Sequence, residues 1–212
     1  EISVRDWSSD VCSSDLFNCN TLSSASGNGG NLFNTDTATM SISGGVIGCD
    51  QPGTISARNG GGLFQTSTGT LTLTNVRVQH NRVSNNGGGL FVATGAVPLQ
   101  MTTSTFANNT AVVQGGAISS GGRLTISSSV FSGNAGGTYG GGIASDSTQT
   151  NTLSNSCFDA TNSATNGKGV YSFVAGFNAQ SNWWESGAAA MVNANVNAAT
   201  PLSSCPAGSG AP

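Results

Sequence analysis

Gly115-Gly116-Ala117-Ile118-Ser119-Ser120-Gly121-Gly122-Arg123-Leu124-Thr125-Ile126-Ser127-Ser128-Ser129-Val130-Phe131-Ser132-Gly133-Asn134 is one period of a repeat, and its reading decides the fold. It contains a Gly-rich turn followed by an apolar residue, then a short alternating segment, then an apolar residue three places before an Asn. Outward from it, the Gly turn and its apolar residue recur at Gly29-Gly30-Asn31-Leu32, Gly60-Gly61-Gly62-Leu63, Gly87-Gly88-Gly89-Leu90, Gly140-Gly141-Gly142-Ile143 and Gly167-Lys168-Gly169-Val170. The steps from Leu32 onward are 31, 27, 28, 25 and 27 residues. Self-similarity at such a period is the mark of a solenoid.

The second segment recurs as Met40-Ser41-Ile42-Ser43, Leu71-Thr72-Leu73-Thr74, Leu99-Gln100-Met101-Thr102, Leu124-Thr125-Ile126-Ser127 and Thr152-Leu153-Ser154. Period-two alternation makes these half-buried strands. Five residues beyond each inward Ile42, Leu73, Met101, Ile126 and Leu153 stands Ile47, Val78, Phe106, Phe131 or Phe158, an offset that requires a fixed turn. The third segment ends on Asn20, Asp50, Asn81, Asn109, Asn134 and Asn162, a column whose side chains can tie successive turns together. Three short strands and three turns per repeat, each strand with one inward apolar residue, define an all-β, three-sided solenoid of about six to seven rungs stacked into parallel sheets. No window has the 3.6-residue periodicity of a helix, and an antiparallel sandwich would not repeat three segment types in constant order.

These motifs resemble the polymorphic outer-membrane-protein repeat and the wider pectate-lyase-like family of right-handed parallel β-helices over roughly residues 17–184. The resemblance implies the fold; the same architecture carries lyases, hydrolases, adhesins and stalks, so it does not imply an activity. Asn182-Trp183-Trp184 is similar to the N-W-W-G element that closes many bacterial surface β-helices, with Glu185 in place of the Gly. Residues 188–212 lose the repeat and read as a cap segment running into a linker. Residues 1–16 (EISVRDWSSDVCSSDL) lack the periodicity and resemble the translation of a sequencing adapter, which makes residues 17–187 the expected extent of the solenoid.

Without residues 1–16, the 9 acidic and 6 basic residues become 5 and 5, and the five cysteines become Cys19, Cys49, Cys157 and Cys205. An even count suits a disulfide-bonded extracellular or cell-surface chain. No basic run exists to bind nucleic acid or an anionic membrane, and no apolar stretch reaches the length of a membrane span. Cys19 and Cys49 fall in one column, about 4.8 Å apart if stacked, and are expected to pair. Cys157 and Cys205 then remain, and a bond between them would staple the tail. His80 stands in the Cys19/Cys49 column one rung on, so a Cys2His metal set is the competing reading; disulfides would consume its thiolates, and neither metal nor cofactor is expected.

Glycoside hydrolysis needs two carboxylates about 5–9.5 Å apart, and no column of this repeat holds two acids. The nearest catalytic grouping is Asp50 with His80 and Arg82, one acid where lyase chemistry of the resembled family uses several. By contrast, the outward positions of the second strand form hydroxyl columns: Ser41, Thr72, Thr125 and Thr152, interrupted by Gln100, and Ser43, Thr74, Thr102, Ser127 and Ser154. The expectation is therefore a non-enzymatic, adhesin-like stalk presenting a polar surface to an extracellular glycan or a host or cell-surface partner. A polysaccharide lyase or glycoside hydrolase fragment is the alternative, and an ice-binding solenoid the third.

Overall fold

The structure, a computed structural model, describes residues 16–17, 27–48, 57–95 and 98–210. The chain is a parallel β-solenoid with the arrangement of a right-handed parallel β-helix, the hand that parallel crossover connections adopt almost without exception. One sheet stacks Leu32–Asn34, Leu63–Gln65, Leu90–Val92, Ile118–Ser120, Ile143–Ser145 and Val170–Ser172. A second stacks Met40–Ser43, Leu71–Thr74, Leu99–Thr102, Leu124–Ser127, Thr152–Ser154, Phe177–Asn178 and Val196–Asn197. The third runs from Leu16–Phe17 through Val46–Gly48, Arg77–Gln79, Thr105–Ala107, Val130–Ser132 and Cys157–Phe158 to Trp183–Trp184.

Six strands in the first sheet bound about five full turns, fewer than the six to seven read from the repeat. The difference is one of closure: repeats at the two ends contribute strands without completing a coil. The leading strand also includes Leu16, which pairs with Val46 one residue before the expected start. A short fourth sheet of Arg82–Val83, Thr110–Ala111 and Ala135–Gly136, not foreseen as a strand, contributes Val83 and Ala111 to a small buried cluster with Ala57.

Pairing is in register, so like residues stack. Leu32, Leu63, Leu90, Ile118, Ile143 and Val170 form one wall of the core. Ile47, Val78, Phe106, Phe131, Phe158 and Trp184 form another, the four rings stacked at 5.8, 4.5 and 4.7 Å between centroids. The fixed five-residue offset is a corner made by one residue of positive φ: Asn75, Thr103, Ser128, Asn155 and Ser181, at 49° to 57°. Asn tolerates that conformation well, which accounts for Asn75 and Asn155, whereas β-branched Thr103 adopts it at a steric cost that the surrounding coil must hold. The Gly turns need their glycines for space as well: a Cβ on Gly116 would lie 2.3 Å from the Gly141 carbonyl oxygen of the next coil.

Each strand of the first sheet buries two inward residues, where the repeat suggested one. Its last position is the interior column Asn34, Gln65, Val92, Ser120, Ser145 and Ser172. These mostly polar side chains turn back onto the backbone of the following turn, as in Gln65 Nε2 to the Gly69 carbonyl (3.0 Å) and Ser120 Oγ to the Gly122 carbonyl (2.8 Å). A tight turn that leaves two strands has peptide groups no sheet can satisfy, and the interior polar column supplies partners for them.

Candidate functional site

Two buried ladders hold the faces in place. Asn81, Asn109, Asn134 and Asn162 lie at the turn after the third sheet, each Nδ2 donating to the next coil's Oδ1 at 3.0, 3.0 and 3.1 Å. The same Oδ1 atoms also accept the backbone N–H of the preceding Asn, at 3.1, 3.1 and 3.0 Å. A second ladder, missed in the sequence reading, runs through Ser104, Ser129, Ser156 and Asn182, each oxygen accepting the N–H of its counterpart one coil earlier at 2.9–3.2 Å. Its signal was present as a Ser two residues before Phe106, Phe131 and Phe158, hidden in a chain rich in serine.

The hydroxyl columns occupy the outer face of the second sheet. Ser41, Thr72, Gln100, Thr125 and Thr152 are register partners in sequence, as are Ser43, Thr74, Thr102, Ser127 and Ser154. Inward Met40, Leu71, Leu99 and Leu124, with Ile42, Leu73, Met101, Ile126 and Leu153, anchor the sheet from beneath. The face is thus five rungs long and two columns wide, with the rungs about 4.8 Å apart. It carries no charged side chain in either column, and its members are exposed or half-buried.

Of the weak catalytic grouping, Asp50 lies outside the described residues. His80 has φ of 53° at the turn before Asn81, and its Nε2 lies 3.2 Å from Asn108 Nδ2, while Arg82 is exposed at the start of the fourth-sheet strand. Asp159 and Glu185 serve turns: Asp159 Oδ1 accepts the Thr161 N–H at 3.1 Å, and Glu185 Oε2 accepts the Ala160 N–H at 2.7 Å. Both stand apart from the hydroxyl face.

Cys19 and Cys49 also lie outside the described residues. Cys157 and Cys205 form a disulfide with Cα atoms 5.5 Å apart. The tail that carries Cys205 first caps the solenoid: Ala188–Met191 is a one-turn helix, Met191 and Val196 enter the core, and Val196–Asn197 pairs with Phe177–Asn178. It then turns back along the third sheet, where composition had suggested a linker. The Leu202 N–H donates to the Asn182 carbonyl (2.9 Å), Ser209 Oγ to the Asn155 carbonyl (3.2 Å) and the Gly210 N–H to the Ser128 carbonyl (2.9 Å), each acceptor one coil earlier. Because Cys205 is exposed and these contacts are few, Cys205→Ser is expected to free the tail while the coils stay intact. Hydrogen exchange at the Leu202 and Gly210 amides should rise while exchange at Phe131 is unchanged; protection that persists at Gly210 would show that the hydrogen bonds suffice without the staple.

Fold, register and the two ladders define the class: a parallel β-solenoid with stacked polar ladders and a neutral hydroxylated sheet. Comparisons with family models, with curated proteins and with solved structures find no match to this chain.

Proposed function

We propose that the chain is a non-enzymatic, adhesin-like β-helical stalk of a secreted or cell-surface protein, and that it lays the hydroxyl face of its second sheet against an insoluble extracellular glycan. The reading rests on the register of Ser41, Thr72, Gln100, Thr125 and Thr152 beside Ser43, Thr74, Thr102, Ser127 and Ser154. Hydroxyls are donors and acceptors at once, so one face can match an array of sugar hydroxyls without discharging any charge. Their backbone is already held by parallel pairing, so little ordering entropy is lost on contact. The disulfide between Cys157 and Cys205 accords with an oxidising compartment.

Sedimentation with a panel of insoluble polysaccharides, followed by assay of the supernatant for new reducing ends and unsaturated products, tests the proposal. Retention without product release is expected, and Thr72→Lys with Thr125→Lys should weaken it by about fivefold or more, because two ammonium groups would have to be desolvated against a neutral surface. Turnover of any polysaccharide would favour the lyase or hydrolase reading. Failure to sediment with every polymer would dismiss glycan adhesion.

A further inference from the structure

The outer face of the first sheet differs from that of the second. Its first outward column reads Phe33, Phe64, Phe91, Ser119, Ala144 and Tyr171 in register. Two residues on, just past the end of each strand, the chain gives Thr35, Thr66, Ala93, Gly121, Asp146 and Phe173. At the C-terminal end Tyr171 and Phe173 meet Tyr139, which reaches in from the preceding turn. The three ring centroids are mutually 4.6–4.9 Å apart, Phe173 standing edge-on to both tyrosines. Phe173 is 40% exposed, an uncommon position for a large apolar ring, while both tyrosines are half-buried.

Packing alone accounts poorly for this cluster. Ala144 beneath it is fully buried, but Phe173 adds little cover and keeps much of its surface in water. Among the described residues neither tyrosine hydroxyl has a hydrogen-bond partner within the protein, so both polar tips are available to a ligand. Centroids this close leave no room for a cation between the rings, which excludes an aromatic cage. The exposed charges alongside, Asp146 one rung from Phe173 and Lys168 on the turn into the strand of Tyr171, cancel.

We propose that Tyr139, Tyr171 and Phe173 form a subsite for one soluble, neutral glycan chain. The sugar ring faces stack on the exposed aromatic edge, and the tyrosine hydroxyls and the Asp146 carboxylate receive the sugar hydroxyls. The amphipathic body of tyrosine, apolar ring and polar tip, suits a ligand with alternating C–H and O–H surfaces. This inference goes beyond the stalk reading and uses a separate face, so each can fail without the other.

Calorimetric titration and saturation-transfer NMR of the full chain with soluble neutral hexasaccharides (cello-, xylo-, manno- and malto-series) test it. At least one series is expected to bind, with transfer concentrated on ring C–H protons. Phe173→Ala and Tyr171→Ala should each weaken binding by about tenfold, and Tyr171→Phe by less, with the unfolding midpoint of Phe173→Ala unchanged. Thr72→Lys with Thr125→Lys should leave soluble binding intact while weakening sedimentation with insoluble polymer, which separates the two faces. The proposal is overturned if no hexasaccharide binds, if the aromatic variants bind as the wild type does, or if Phe173→Ala instead abolishes self-association of the chain.

Discussion

Phe131→Ala is expected to lower the free energy of unfolding by about 3–5 kcal/mol, the cost of emptying a fully buried aromatic site. Phe131 sits in the middle of the ring column, 5.8 Å from Phe106 and 4.5 Å from Phe158, with no exposed surface. In a solenoid each coil touches only its neighbours, so this residue is common to two of the interfaces through which coils stabilise one another. Neighbouring rings cannot collapse into the space without breaking register with their own strands, so the cavity term stays nearly whole. Phe131→Leu should retain most of the stability, and Phe173→Ala, at an exposed ring, should lose almost none. Urea unfolding followed by far-ultraviolet circular dichroism measures all three. A midpoint for Phe131→Ala within error of the wild type would mean that the ring column contributes shape without energy.

Asn109→Ala is expected to cost nearly as much, for a different reason. Asn109 Oδ1 accepts the Asn81 N–H at 3.1 Å and Asn81 Nδ2 at 3.0 Å, while its Nδ2 donates to the Val78 carbonyl at 2.9 Å and to Asn134 Oδ1 at 3.0 Å. Truncation strands the Asn81 N–H and leaves the Val78 carbonyl short of a donor, both in the interior, at about 1–3 kcal/mol for each orphaned group. Asn109→Leu separates the causes, since it keeps the volume and removes the hydrogen bonds. A leucine variant nearly as unstable as the alanine variant would place the cost in the ladder. A leucine variant as stable as the wild type would show that filling the turn is what counts.

Much of this molecule was legible before any coordinates because the determining quantities are periodic. Leu63, Leu90, Ile118 and Ile143 recur at a length that only a stacked coil explains, and the offset from Ile126 to Phe131 repeats with the corner residue Ser128 between them. The Asn column was visible for the same reason, as was the hydroxyl face of the second sheet. The Ser104, Ser129 and Ser156 ladder was not legible, because a buried serine and a surface serine look alike in a chain with so many. The interior column of Gln65, Ser120 and Ser145 obeys strand alternation, each lying two residues after inward Leu63, Ile118 or Ile143, but it was hidden because its side chains are polar and read as solvent-facing, whereas in the fold they satisfy the chain's own backbone. The fourth sheet escaped notice because two-residue strands have no alternation to detect.

What the sequence determined by itself is the solenoid, its register and the composition of each face, since in-register parallel stacking converts a position in the repeat directly into a column in space. What only the tertiary structure decided are the contacts between different columns. Tyr139 lies on a turn, Tyr171 on a strand one coil later and Phe173 just past the end of that strand, so their convergence depends on how a turn folds over the sheet. The tail pairs its Val196 with Phe177, then doubles back to place Cys205 on Cys157 and Gly210 beside Ser128, a path that no periodicity encodes. Repetition fixes neighbours one period apart; where the chain leaves the period, position is set by packing and hydrogen-bond satisfaction in three dimensions.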